Sequence, residues 1–179
     1  MSFDFNLYRI LNSEWTCSFL DRIMPILTDD AFGALILLMI LVLIATFGRR
    51  EGRIAVVAAL VAVAIIDPVG SQLLKPFIGR PRPCHLEMGR LLVNCGSGFS
   101  MPSLHAANSF GIFTPIVVRF GWRMVPLFLI SIIVSWSRIY VGVHWPTDII
   151  AGMLFGITIG LLTGVLSKIL FKEKPDVCI

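Results

Sequence analysis

Residues 31–47 run Ala-Phe-Gly-Ala-Leu-Ile-Leu-Leu-Met-Ile-Leu-Val-Leu-Ile-Ala-Thr-Phe without a charged side chain. A membrane helix needs roughly 20 mostly apolar residues. In hydrocarbon every backbone polar group must find its partner within the segment, so such a run is helical. Four more stretches follow the same pattern, at 54–74, 103–118, 124–140 and 147–170. The chain of 179 residues is 56% hydrophobic and only 15% charged, with a mean hydropathy of +0.87. Soluble domains carry about 25% charged residues, so the deficit points to a bilayer rather than to a large core. The expected fold is an all-α integral membrane helical bundle with five clear transmembrane helices.

Residues 1–30 differ. Phe3, Phe5, Leu7, Ile10 and Leu11 alternate with Asp4, Asn6, Arg9 and Asn12, the mixture of an amphipathic, interfacial segment. Residues 19–27 read as a short continuation, and a weakly hydrophobic sixth helix is the alternative. Asp4, Arg9 and Glu14 break the charged-then-apolar-then-small order of a leader, so no cleavable signal is expected. The organisation is therefore an N-terminal segment (1–30), a transmembrane domain (31–171) with a long loop at 75–102, and a tail (172–179). Glycines at 152, 156, 160 and 164 share one face of the last span, where small residues let a neighbouring helix approach closely.

Basic residues set the orientation. Arg49, Arg50 and Arg53, then Arg119 and Arg123, then Lys168, Lys172 and Lys174 fall in three segments that five spans place on one side. The positive-inside rule makes that side cytoplasmic, in the inner or plasma membrane. The net charge of +4 and pI near 9.1 thus reflect topology rather than nucleic-acid binding. The loops 75–102 and 141–146 then face the periplasm or exterior. The first carries Lys75, Arg80, Arg82 and Arg90 against the topological bias, as an anion site would require.

Three stretches on that outer side combine into chemistry. Lys75, Arg82 and Arg138 are cations, and guanidinium forks match phosphate oxygens. Pro81 and Pro83 stiffen the backbone around Arg82. Pro102 suits a helix start, where the N–H groups of Ser103, Leu104 and His105 would point outward at an anion. His144 and Asp148 stand four apart, on one face of a helix start. A carboxylate there fixes the imidazole tautomer and frees the other nitrogen to attack. His105 is the natural acid for a leaving oxygen. Any one stretch alone would read as helix anchoring. Their order on one side argues for a site.

The pattern Lys75-x6-Arg82-Pro83, then Pro102-Ser103-x-His105, then Ser137-Arg138-x5-His144-x3-Asp148 resembles the type 2 phosphatidic acid phosphatase superfamily. Leu104 stands where that family commonly has a small residue. The resemblance implies a lipid phosphate or diphosphate phosphatase. His144 would form a phosphohistidine, Asp148 orient it, and His105 serve as acid and then base. Lys75, Arg82, Ser103, Leu104 and Arg138 would hold the phosphoryl oxygens. The substrate implied is a phosphorylated membrane lipid: undecaprenyl diphosphate, phosphatidylglycerophosphate, phosphatidic acid or lipid A. No cofactor or metal is implied. Alternatives are a vanadate-dependent haloperoxidase and a non-catalytic lipid-binding or transport module. Cys84 and Cys95 share the outer loop, where an oxidising compartment permits a disulfide; two free thiols are the other outcome. Asp67 is expected to make a structural hydrogen bond or to support the site, while His85 and Arg90 read as solvated loop residues.

Overall fold

The computed structural model describes residues 3–172 and contains no strand among them. Lys174 and the rest of the expected tail beyond Lys172 lie outside the described residues. The chain opens with α1 (Phe3–Arg9), a π-helical turn (Ile10–Glu14) and α2 (Ser18–Leu27). Helix α3 (Asp30–Phe47) begins where the Asp29 side chain accepts the Phe32 N–H at 2.8 Å, a side-chain cap for an otherwise unpaired donor. Helix α4 (Arg49–Pro68) runs on through a π-helical stretch (Val69–Leu74) into α5 (Lys75–Ile78). Pro68, which lacks a donor for the ladder, sits where the helix changes spacing. Gly79, in the left-handed conformation at φ 62°, stops α5. A loop then leads to α6 (Leu104–Phe120), α7 (Leu127–Tyr140) and α8 (Pro146–Leu170).

Three of these stretches are long and apolar enough to cross a bilayer: α3, the stretch Arg49–Leu86 that begins with α4, and α8. Three of the expected five spans thus meet that length and hydropathy among the described residues. Helix α6 has 17 residues and α7 has 14, or about 26 Å and 21 Å at 1.5 Å per residue, against a hydrocarbon core of about 30 Å. Gly121 at φ 77° ends α6, and Pro126 delays the start of α7.

Helix α6 is the centre, and α8 reaches it through the glycine stripe. A methyl group built on Gly152 would stand 2.3 Å from the Ser103 carbonyl oxygen, and one on Gly156 would stand 2.1 Å from that of Ala107. At Gly160 it would meet Thr114 at 2.6 Å. Backbone therefore lies almost on backbone, and the start of α8 is pinned beside the start of α6. On the other flank α4 offers Ala55 and Ala59, both wholly buried, toward Ile112, Phe113 and Ile116, and Ala62 toward Ala107. Helix α3 lies outermost, with Leu35 and Leu38 more than half exposed, as lipid contact requires.

The ends of α4, α6 and α8 remote from the 75–102 loop are tied together by Arg119. Its guanidinium pairs with Glu51 at 2.8 Å and reaches Ser167 Oγ at 3.3 Å. At the loop end, the N-terminal segment is folded onto the loop. Asn12 is fully buried; its amide donates to the Arg90 and Tyr140 carbonyls (2.9 and 2.8 Å), and its oxygen accepts the Arg90 N–H at 2.7 Å. Arg90 is half-buried rather than solvated. It pairs with Asp21 at 2.6 Å over the Tyr140 ring. Cys84 and Cys95 are joined as a disulfide with Cα atoms 5.9 Å apart. Asp67 accepts a hydrogen bond from the Asn108 amide at 2.7 Å.

Candidate active site

His144 lies in the turn between α7 and α8, 2% exposed, and its Nδ1 is 3.3 Å from Asp148 Oδ2. The expected face of a helix start is corrected in its geometry. Pro146 takes the first helical position, so Trp145 is the N-cap and His144 precedes the helix. Asp148 reaches back to the Trp145 N–H at 2.8 Å, the return arm of a capping box. Folding α8 from its first turn therefore aims the carboxylate at His144.

Asp148 is wholly buried and both of its oxygens accept hydrogen bonds. Oδ2 also accepts from the Ser100 hydroxyl, and Oδ1 accepts from Arg80 at 2.8 Å. Arg80 itself donates to Thr147 Oγ1 at 2.6 Å, and its guanidinium lies 5.3 Å from the centre of the Trp145 ring. Burial holds the His144 imidazole down to about 3; Asp148 opposes this shift, while Arg138 and Arg82 reinforce it. The ring is thus neutral at neutral pH, with one nitrogen committed to the carboxylate.

Lys75, Arg82 and Arg138 come together around this histidine. Lys75, half-buried at the start of α5, lies within electrostatic reach of Arg82, Arg138 and Asp148. Arg82 is held by the Gly98 carbonyl at 2.8 Å. Arg138, in the last turn of α7, donates to the Thr28 carbonyl at 3.0 Å and hydroxyl at 2.5 Å, while its Nε is buried without a partner. The Ser103 hydroxyl is likewise buried and unpartnered. Two of the expected phosphate contacts thus keep a donor to spare, and an unpaired buried donor costs about 1–3 kcal/mol.

Two expectations at the start of α6 are corrected. The Ser103 N–H does not face outward: it donates to the Asp148 carbonyl at 3.0 Å, because Gly152 lets the two helices close. The Leu104 side chain is turned away, into the cluster around Ala62 and Ala107 and against Gly70. Any contact of Leu104 with an anion is therefore left to its backbone N–H. His105 is near Arg138 and Lys75, and its Nε2 is 2.9 Å from Asp30 Oδ1.

Several partners escape sequence reasoning. Arg80 reads as one more basic loop residue, Asp30 as the charged border of an apolar run, and Ser100 and Thr28 as plain loop polars. The acidic pair Asp29–Asp30 at the start of a span was the one available signal, since intramembrane acids are costly to leave unpaired.

The sequence profile of the PAP2 superfamily matches residues 33–171, so the chain belongs to that superfamily. It is 33% identical over 123 residues to a lipid A 4'-phosphatase of Bacteroides thetaiotaomicron, covering 64% of this chain and 55% of that protein. Over 148 residues it is 29% identical to the undecaprenyl-diphosphatase BcrC of Bacillus subtilis, covering 81% and 74%. The crystal structure of Aquifex aeolicus LpxE superposes with a TM-score of 0.70 at 25% identity, over 91% of this chain and 95% of that one. The chain spans about half the length of the lipid A phosphatases it matches.

Proposed function

We propose that the protein is a membrane phosphatase that hydrolyses a phosphate ester or diphosphate of a lipid by way of a phosphohistidine. The observation that carries this reading is the buried pair His144–Asp148 set among Lys75, Arg82 and Arg138. With Nδ1 committed to Asp148, Nε2 of His144 carries the free lone pair. It attacks phosphorus in line, the P–O bond to the lipid breaks, and His105 gives the leaving oxygen its proton. Neutral His105 then takes a proton from water, the hydroxide displaces His144, and inorganic phosphate leaves. The three cations and the Ser103 hydroxyl stabilise the charge on the transferring group, where most phosphoryl-transfer catalysis resides.

A groove of about 340 Å³ supports a lipid substrate. It begins at Asp30 and His105 and descends between α3, α6 and α7 past Ile40, Phe113 and Ile133. Its walls are almost wholly apolar, so a hydrocarbon chain can lie there while the phosphate meets the cations. The names of the similar proteins, lipid A 4'-phosphatase and undecaprenyl-diphosphatase, point to the same substrate class. Five membrane helices, with the site facing the periplasm or exterior, complete the reading. It is supported by the basic ends of α4, α6 and α8 gathering opposite the site.

The test is phosphate release by the purified protein from undecaprenyl diphosphate, phosphatidylglycerophosphate, phosphatidic acid and lipid A. Release from at least one, with no detectable release by His144→Ala, is the expected result. Release from none, or full activity in His144→Ala, overturns it.

A further inference from the structure

The hydrogen-bond network of Asp148 continues outward to the first helix of the chain. Arg80 bridges two carboxylates: Nη1 donates to Asp148 Oδ1 at 2.8 Å and Nη2 donates to Asp4 of α1. Asp4 also accepts the Thr147 N–H at 3.0 Å and the Thr147 hydroxyl at 2.8 Å. It thereby caps an orphan donor of α8 from outside that helix. The Asp4 side chain is 14% exposed and that of Arg80 27%, so solvent cannot readily replace either contact. Helix α1 is itself docked: the Tyr8 hydroxyl donates to the Met88 carbonyl at 2.9 Å, and the Tyr8 ring packs 5.0 Å from Trp145. Asp4 lies outside residues 33–171 that match the family profile, and Arg80 fills an unspecified position of the Lys75-x6-Arg82-Pro83 motif.

We infer that Asp4 and Arg80 are positioning residues for the nucleophile, so that α1 is a working part of the active site. The inference rests on the reading of His144 as nucleophile. Asp148 can hold the His144 tautomer only while its plane is fixed. Oδ2 is fixed by Ser100, Trp145 and His144, and Oδ1 by Arg80. Arg80 in turn needs a second acceptor to keep its fork in that plane, and Asp4 supplies it. Loss of Asp4 releases one arm of the fork and two hydrogen bonds at the first turn of α8. A displacement of about 1 Å at a reacting group costs on the order of a hundredfold in rate.

Asp4→Asn, Arg80→Ala, Arg80→Lys and the double variant Asp4→Asn/Arg80→Ala would be assayed as full chains in detergent on the best lipid of the panel. Arg9→Ala, on the same helix and paired with exposed Glu14, is the control and should match wild type. Asp4→Asn should lower kcat about tenfold and Arg80→Ala about a hundredfold, each with KM within about twofold. The double variant should equal Arg80→Ala within about threefold, because Asp4 acts through Arg80. Arg80→Lys should recover less than about a tenth of wild-type kcat, since an ammonium cannot span both carboxylates. His144 is faced by Asp148 from α8, Arg138 from α7 and Arg82 from the loop. Loss of Arg80 removes the cation in direct contact with Asp148 and leaves Lys75 and Arg82 to compensate it through space, so the acid limb of kcat/KM should move to higher pH.

Wild-type kcat in Asp4→Asn, independent losses in the double variant, or a lower melting temperature with an unmoved pH profile would each overturn the inference. An active wild type with dead His144→Ala and normal Asp4→Asn removes this inference alone. An inactive wild type removes the proposed function with it. If Arg80→Ala fails to fold, Arg80→Lys carries the same comparison.

Discussion

Replacing Asp148 by Asn keeps the shape of the side chain and reverses one hydrogen bond. The carboxylate now accepts from four donors: Arg80, Ser100, the Trp145 N–H and His144 Nδ1. An amide has one accepting oxygen. If that oxygen faces Arg80, the NH2 group faces His144 and the Trp145 N–H. His144 must then accept at Nδ1 and carry its proton on Nε2, the nitrogen required for attack. A tautomer error of this kind costs about 10⁴ in kcat in serine proteases, which is about 5.4 kcal/mol of barrier. The structural penalty is smaller, about 1–3 kcal/mol for a mispaired buried group. The chemical loss should therefore far exceed the loss of stability. Phosphate release and thermal melting in the same detergent separate the two. A folded Asp148→Asn protein retaining more than a tenth of wild-type kcat would refute the tautomer argument.

Three further outcomes follow from other parts of the structure. His144 is held neutral when folded, near 3, against about 6.5 when unfolded. Between those values the unfolded chain binds more protons, so stability is complete above 6.5 and falls as pH drops toward 3; His144→Gln should flatten that slope in melting curves. Asp30→Asn should lower kcat about tenfold on lipid phosphates by loosening His105. It should spare an ester with a p-nitrophenolate leaving group, which needs little protonation; equal losses on both would count against His105 as acid. Gly156→Leu forces side-chain atoms onto the Ala107 carbonyl, 2.1 Å from the first carbon. Overpacking of this kind costs about 1–3 kcal/mol or more, and an unchanged melting temperature would show that α6 and α8 can part freely.

What could be read from the chain alone follows from which interactions leave a periodic or local trace. The apolar runs carry the helices, because hydrophobicity sustained over a membrane thickness has few other uses. The glycine spacing marks the close face of α8, and the structure lays α6 against it. Span count is less legible. Helices α6 and α7 are cut short by Gly121 and Pro126, and an apolar window does not register where a helix ends. The motif residues lie at the start of α5, at the start of α6 and around the α7–α8 turn, so packing of those ends gathers them. Their supports are scattered. Asp4, Thr28, Asp30 and Ser100 bond to residues between 48 and 143 positions away, and nothing local in one sequence links such partners. Leu104 shows the converse: a motif position whose neighbour Gly70 decides where its side chain goes.

The pairing of charges gives an independent argument for an anionic ligand. Near the site, each of these carboxylates has a cationic or imidazole partner: Asp4 and Asp148 share Arg80, Asp30 meets His105, and Asp21 meets Arg90. Lys75, Arg82 and Arg138 have no carboxylate within 4.0 Å among the described residues. Arg82 and Arg138 instead rest on neutral oxygens of Gly98 and Thr28. Like charges gathered at half-buried positions repel, and partial desolvation makes that repulsion costlier than in water. A fold under selection for stability alone would turn one of the four nearby acids toward them. The chain instead spends its acids on fixing two histidines and a loop, and on the proposed function a phosphate group supplies the balancing charge. Phosphate-dependent stabilisation should follow directly: inorganic phosphate should raise the melting temperature, and Arg138→Ala should abolish that rise.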